Sequence, residues 1–223
     1  MNQGPAFTNT IALQVDEFTP SFEAQIGPVL AEVFAREQQD LRRAGLPQGI
    51  ARVGDTLPDS FLYDAGGQRL RLSEVLGAAS AIIVFYRGSW CPYCSIALKT
   101  YQRELRPVVE GFGTRLIAIS PQEPDSAVQA ARDDGLHFAL YADRGNALAA
   151  RLGIVTVPSP DVVRAQAALG IDVAGLNMDG TGAIPFPTVV VADATGTIRL
   201  IDPRVDYTTR TETCDIIDAL VAL

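Results

Sequence analysis

The run Ala81-Ile82-Ile83-Val84-Phe85-Tyr86, continued by Arg87-Gly88-Ser89 and closed by Trp90-Cys91-Pro92-Tyr93-Cys94, decides the fold. Six apolar residues, β-branched and aromatic at the centre, predict a central strand buried on both faces. Pro92 suits the first position of a helix, where its missing N–H costs nothing. A helix therefore opens behind Cys91, and Cys94 falls one turn along on the same face. Two cysteines spaced this way at a strand-to-helix junction form the pattern of a dithiol/disulfide redox centre. Unpaired N–H groups at the helix start would favour a thiolate at Cys91, and Arg87 is a candidate for further anion stabilisation.

The sequence around this unit is punctuated regularly. Upstream, residues 61–64 and 68–72 flank Ala65-Gly66-Gly67 as a hairpin, and a short helix follows to Leu76. Downstream, the cysteine helix runs to about Glu110, with Pro107 bending its last turn. Strands are expected at 116–120, 136–141, 188–192 and 197–201, and helices at 124–133, 146–152, 159–169 and 209–220. Residues 170–185, with Gly175, Gly180 and Gly182, read as a loop or insertion. Strands alternating with helices and ending in a hairpin and helix describe an α/β protein with a mixed sheet covered on both faces.

Ahead of this lies an N-terminal segment. Thr19-Pro20-Ser21 reads as a cap for one helix over 21–44, with Phe22, Ile26, Val29, Leu30, Val33, Phe34 and Leu41 as its apolar face. A Gly- and Pro-containing linker at 46–59 divides the chain into an extension, 1–50, and a main domain, 51–223. The apolar face must cover something, either this chain's own surface or that of a second copy in a homodimer.

Composition narrows the functional classes. The 223 residues carry 18 Lys and Arg against 26 Asp and Glu, a net charge of −8, which opposes nucleic acid and anionic membranes as partners. No apolar run approaches the roughly 18 residues of a membrane span, and no secretory leader pattern is evident. Three cysteines cannot build a disulfide framework, so a cytoplasmic protein is expected. In that setting the Cys91/Cys94 pair is redox-active, inert or metal-binding. Tetrahedral zinc wants four ligands, and beyond the pair only Cys214 and His137 are on offer, so no metal is expected. Cys214 beside Ile216 and Ile217 reads as a small buried hydrophobe, and His137 as a satisfied or surface histidine rather than a catalytic base. No dinucleotide fingerprint is present, and no cofactor is expected.

The segment from Phe85 to Cys94 resembles the active site of the thioredoxin superfamily. It is more closely similar to the peroxiredoxin-like branch of the alkyl hydroperoxide reductase/thiol-specific antioxidant (AhpC/TSA) family. The likeness extends over about 54–201 and includes the 138–153 segment with Asp143. It implies a thioredoxin-like fold bearing an N-terminal helical extension. Laid on the family's Pro-x-x-x-Thr-x-x-Cys motif, Cys94 takes the peroxidatic position, while Cys91 replaces the threonine and Arg87 the proline. The family's arginine ahead of the later core strand is replaced by Ile184-Pro185-Phe186-Pro187-Thr188, and Pro187-Thr188 implies a thioredoxin-type cis-proline facing the pair.

The resemblance implies a thiol oxidoreductase that reduces hydrogen peroxide or organic hydroperoxides. Cys94 would attack and Cys91 would resolve; Arg87, Trp90, Pro92, Tyr93, Pro187 and Thr188 would support the site. Thioredoxin or a low-molecular-weight thiol would regenerate it. A thioredoxin-like alternative has Cys91 attack a protein disulfide, with Cys94 resolving. A third reading is a non-enzymatic, redox-responsive interaction protein.

Overall fold

The computed structural model describes residues 10–223; the first nine residues of the expected extension lie outside the described residues. Two helices, α1 (Ile11–Ile26) and α2 (Pro28–Ala44), precede the hairpin of β1 (Phe61–Tyr63) and β2 (Arg69–Arg71). Helix α3 (Leu72–Leu76) leads into β3 (Ala81–Phe85), and α4 (Pro92–Thr100) continues through a π turn (Tyr101–Leu105) into α5 (Arg106–Phe112). Next come β4 (Arg115–Ser120), α6 (Pro124–Asp133), β5 (Ala139–Ala142) and α7 (Ala147–Arg151). The segment β6 (Val155–Thr156), α8 (Pro160–Ala168), α9 (Val173–Leu176) and β7 (Ile184–Pro185) precedes β8 (Thr188–Ala192), β9 (Ile198–Pro203) and α10 (Thr213–Val221).

Seven strands form one mixed sheet in the order β2-β1-β5-β4-β3-β8-β9, with β3 parallel to β4 and antiparallel to β8. Every residue of β3 is buried, and the pleat deals them to two cores. Ile82 and Val84 join α1, α4 and α10 on one face, where Ile11, Leu98 and Ile216 pack. Ala81, Ile83 and Phe85 join Leu72 of α3, Leu148 of α7 and Leu152 just past its end on the other. The fold is thioredoxin-like, with helices on both faces and N-terminal helices added. The cysteine segment leaves the carboxyl end of the central strand, where open α/β sheets place their ligands.

Several expectations are corrected. The N-terminal segment forms two helices, because Gly27 adopts φ +81° and Pro28 starts the second helix. Pro20 lies inside α1, which begins ten residues earlier than expected, where Thr10 caps Leu13 N–H at 3.2 Å. The Glu212 carboxylate also accepts from Ile11 and Ala12 N–H at 2.9 and 2.8 Å. The break rotates the apolar stripe, and Val29 is left 74% exposed. In the cysteine helix, Pro107 cannot donate to the preceding turn, and the disturbance falls ahead of it as the π turn, with Arg106 N–H bonded to Tyr101 O.

The final helix starts at Thr213 rather than near 209, since the residues before it form a loop that reaches the cysteines. Within 170–185 the expected loop contains α9 and β7. Cys214 is exposed, because it stands at the start of α10 on the side away from Ile216 and Leu220. No peptide bond among the described residues is cis, Phe186-Pro187 included. Phe186 N–H donates to Ile154 O at 2.7 Å and Pro187 O accepts from Arg204 N–H at 2.8 Å, so neighbouring strands hold both flanks in an extended trans run.

Candidate active site

Cys91 occupies the residue before α4 with an extended backbone, and its carbonyl accepts from the N–H groups of Cys94 at 3.0 Å and Ser95 at 3.2 Å. Its own N–H donates to Gly88 O at 3.2 Å, closing the turn from β3. Both sulfurs are free and 1% exposed. Gly88 lets Trp90 fold back over this turn: its φ is +151°, and a Cβ there would stand 2.3 Å from Trp90 Nε1.

Two guanidinium groups serve the pair. Arg87 Nη1 lies 3.8 Å from Cys91 Sγ, and its guanidinium carbon sits 4.9 Å from the Trp90 ring centre and 4.2 Å from that of Tyr207. Arg210 Nη2 donates to Cys94 Sγ at 3.1 Å, while its Nη1 donates to the carbonyls of Tyr207 and, at 2.7 Å, Thr209. Tyr101, fully buried at the start of the π turn, donates to Thr211 O at 2.6 Å and pins the loop that carries Arg210.

The two sulfurs titrate apart. Burial pushes the Cys91 thiol up, but the hydrogen bond from the Cys94 thiol and the Arg87 and Arg210 charges outweigh it and hold Cys91 well below the ordinary thiol value. At Cys94, burial, the proton it gives to Cys91 and the negative charge on Cys91 all act upward and prevail over Arg210. Adjacent sulfurs cannot both ionise without like-charge repulsion, and Cys91 holds the place at the helix start where unpaired N–H groups favour an anion.

Their access differs as well. Cys91 lines a cavity of ≈ 230 Å³ that also contains Arg87, Trp90, Pro92 and Tyr93. Cys94 lines only a niche of ≈ 10 Å³ with Arg210, Pro187 and Thr188, at most the room of a single water. Thr188 Oγ1 is committed to Phe186 O at 2.8 Å. Tyr93 turns away toward the N-terminal helices, its ring 5.6 Å from Phe18 and 6.1 Å from Phe22.

The structure thus brings together all eight residues singled out from the sequence, with Pro187 and Thr188 on the Cys94 side. Sequence reasoning missed Arg210 and Tyr207. The only hint of Arg210 was the vacancy where the resemblance led one to expect an arginine, since nothing in Tyr207-Thr208-Thr209-Arg210-Thr211 marks it. His137 is exposed and engaged through its backbone N–H with Gln102. Among the described residues no cluster of His, Cys, Asp or Glu is placed to hold a metal, and no helix is long and apolar enough to cross a membrane.

A family model described as the AhpC/TSA family matches residues 53–201. The chain belongs to the AhpC/TSA family. This AhpC/TSA protein is accordingly a thiol-dependent peroxidase/oxidoreductase of the thioredoxin superfamily. Among solved structures, it is similar to a peroxidoxin, BcpB, of Mycobacterium tuberculosis at 19% identity and TM-score 0.57, covering 77% of this chain and 97% of that one. A thiol peroxidase from Chromobacterium violaceum aligns at 19% identity and TM-score 0.60, covering 79% and 90%. Reduced Prx3 from Vibrio vulnificus, solved in complex with H2O2, aligns at 15% identity and TM-score 0.62, covering 77% and 99%. No curated protein sequence matches the chain. At these identities the structural likeness speaks for the fold.

Proposed function

We propose that this AhpC/TSA protein reduces hydroperoxides through a Cys91–Cys94 dithiol cycle in which Cys91 attacks and Cys94 resolves. The observation that carries this is the asymmetry of access and charge: the sulfur held as thiolate is the one that opens on the larger cavity. This reverses the order implied by the family resemblance. In the first step the Cys91 thiolate attacks the terminal peroxide oxygen, the O–O bond breaks, and the departing alkoxide or hydroxide takes up a proton from solvent. Cys91 is left as a sulfenic acid. The Cys94 thiol then displaces water from it and forms the disulfide. A dithiol such as thioredoxin, or two equivalents of a low-molecular-weight thiol, returns the pair to the reduced state. Both sulfurs lie in the 51–223 domain, and the extension, residues 1–50, packs on its active side through α1 and α2.

A second reading, reduction of protein disulfides, draws support from the same feature, because an N-terminal thiolate with a C-terminal resolving thiol is the order thioredoxin-like exchange requires. Mass spectrometry after one equivalent of peroxide separates the assignments. Trappable sulfenic acid is expected at Cys91 in Cys94→Ser, an internal disulfide in wild type, and no peroxide consumption in Cys91→Ser. Rapid sulfenic acid formation at Cys94 in Cys91→Ser would overturn the order, and disulfide reduction without peroxide consumption would favour the second reading.

A further inference from the structure

The loop between β9 and α10, residues 204–212, is tied at once to the cysteine pair and to both N-terminal helices. Toward the cysteines, the Tyr207 ring centre lies 4.2 Å from the Arg87 guanidinium carbon, and Arg210 Nη2 donates to Cys94 Sγ at 3.1 Å. Toward the helices, Tyr207 N–H donates to Gln38 Oε1 of α2 at 3.0 Å, and Asp206 Oδ2 accepts from Arg42 Nε of α2 at 3.0 Å. The Glu212 carboxylate accepts from the first N–H groups of α1. Gln38, Arg42, Asp206, Tyr207, Arg210 and Glu212 all lie outside residues 53–201, the stretch matched by the family model. The two ends of the chain thus hold this loop against the site.

Gln38 stands out among these residues. It is 4% exposed, and among the described residues of α2 it alone is buried. Its Oε1 is engaged by Tyr207 N–H, while its Nε2 has no partner. A buried amide with an unpaired donor is costly, and an apolar side chain of similar length would fill the place without that cost. What Gln38 adds over an apolar residue is the acceptor that fixes the Tyr207 backbone.

Arg87 depends on where Tyr207 sits. Among the described residues no carboxylate pairs with Arg87; its contacts are Cys91 Sγ at 3.8 Å and the rings of Trp90 at 4.9 Å and Tyr207 at 4.2 Å. Trp90 is placed locally by the Gly88 turn, whereas Tyr207 arrives on the 204–212 loop. A cation favours a neighbouring anion strongly only within about 4–6 Å, so a modest drift of the guanidinium weakens its hold on the sulfur.

We propose that Gln38 is a positioning residue for the Cys91 thiolate: by accepting from Tyr207 N–H it fixes the ring that seats Arg87, and so holds the guanidinium against the sulfur. The N-terminal extension is on this account a working part of the thiol site, acting through α2. The proposal rests on Cys91 being the sulfur kept as thiolate.

The pH profile of iodoacetamide alkylation tests it in the reduced full-length protein, with the modified cysteine identified by mass spectrometry and no peroxide present. Gln38→Met keeps the side-chain length and removes the acceptor. Its midpoint at Cys91 is expected about one unit above that of wild type, slowing alkylation about tenfold on the acid limb and leaving the alkaline plateau within about twofold. A lowered melting temperature with an unchanged midpoint would show that Gln38 only packs, and would overturn the proposal. Tyr207→Leu keeps the backbone N–H and removes the ring, so the same upward shift is expected. This variant decides the question if Gln38→Met does not fold, and an unchanged midpoint in it rejects the seat. A double-mutant cycle tests the route. Arg87→Met raises the midpoint by itself, and adding Gln38→Met is expected to leave it there; a second rise of full size would rule out Arg87 as the intermediary. First alkylation at Cys94 would defeat the thiolate assignment instead, whereas an unmoved midpoint with Cys91 still labelled first defeats only the role of Gln38.

Discussion

Cys91 and Cys94 are the same side chain one helical turn apart, equally buried, yet their surroundings give them opposite characters. The Cys91 side is roomy, aromatic and cationic, with Arg87 over Trp90 and Tyr207 and a cavity in front. The Cys94 side is a closed niche against β3 and β8, with one guanidinium tied to it by a loop from the far end of the chain. The contrast teaches that burial by itself does not set thiol reactivity. Burial raises both sulfurs, and what separates them is which one receives the shared proton and which one faces open space.

The most severe way to break this contrast is to remove one sulfur. Cys91→Ser is expected to lower peroxide turnover by roughly a thousandfold or more, whereas Cys94→Ser keeps a full first turnover and stalls at the sulfenic acid, as stopped-flow and dimedone trapping would record. In the reduced wild-type protein, one equivalent of iodoacetamide should modify Cys91 first. Modification of Cys94 first would end the asymmetry.

Removing charge is the next strongest perturbation. Arg87→Met takes away a cation that favours the Cys91 thiolate, so the Cys91 value rises, and alkylation at neutral pH falls once that value passes neutrality, about tenfold for each further unit. The sign gives a second check. Wild-type alkylation should stay nearly flat as pH drops from the ordinary thiol range toward neutrality, because Cys91 protonates only below its depressed value, while Arg87→Met should slope downward over that interval and converge with wild type in alkali.

Gly88→Ala probes the geometry of the Cys91 side. The added Cβ would collide with Trp90 Nε1, and the positive φ disfavours a side chain, so stability is expected to fall by about 1–3 kcal/mol with a shift in Trp90 emission. On the Cys94 side, Tyr101→Phe removes the bond to Thr211 O and leaves that carbonyl unpaired, which should cost about 1–3 kcal/mol in denaturant melts and slow disulfide closure by loosening Arg210. Cys214→Ser, exposed and away from both sulfurs, should change stability by no more than about 0.5 kcal/mol and leave turnover intact.

Much of the fold was legible because its signals are local. The apolar run at 81–86, Gly66-Gly67 between short strands and Pro92 behind Cys91 each act within a few residues, and β3, the β1–β2 hairpin and α4 follow from them. The single N-terminal helix failed because an unbroken apolar period hid the effect of Gly27-Pro28. Cys214 failed because an apolar neighbourhood in sequence does not say which side of a helix a residue takes. At the site, Arg87 and Trp90 were visible as neighbours of the cysteines, but Arg210 lies 116 residues from Cys94 and Glu212 reaches α1 across 201 residues. No local pattern encodes such approaches, because they arise only when the sheet and its two cores are assembled.

By itself the sequence determined that two thiols would stand at the carboxyl end of a central strand, since strand, turn and helix start are written in consecutive residues. The tertiary structure decided which thiol carries the charge and which faces the cavity. That outcome depends on Arg210 and on the α1–α2 helices, whose distance from the pair vanishes only when the chain closes around it, and on a proton that two buried neighbouring sulfurs must share.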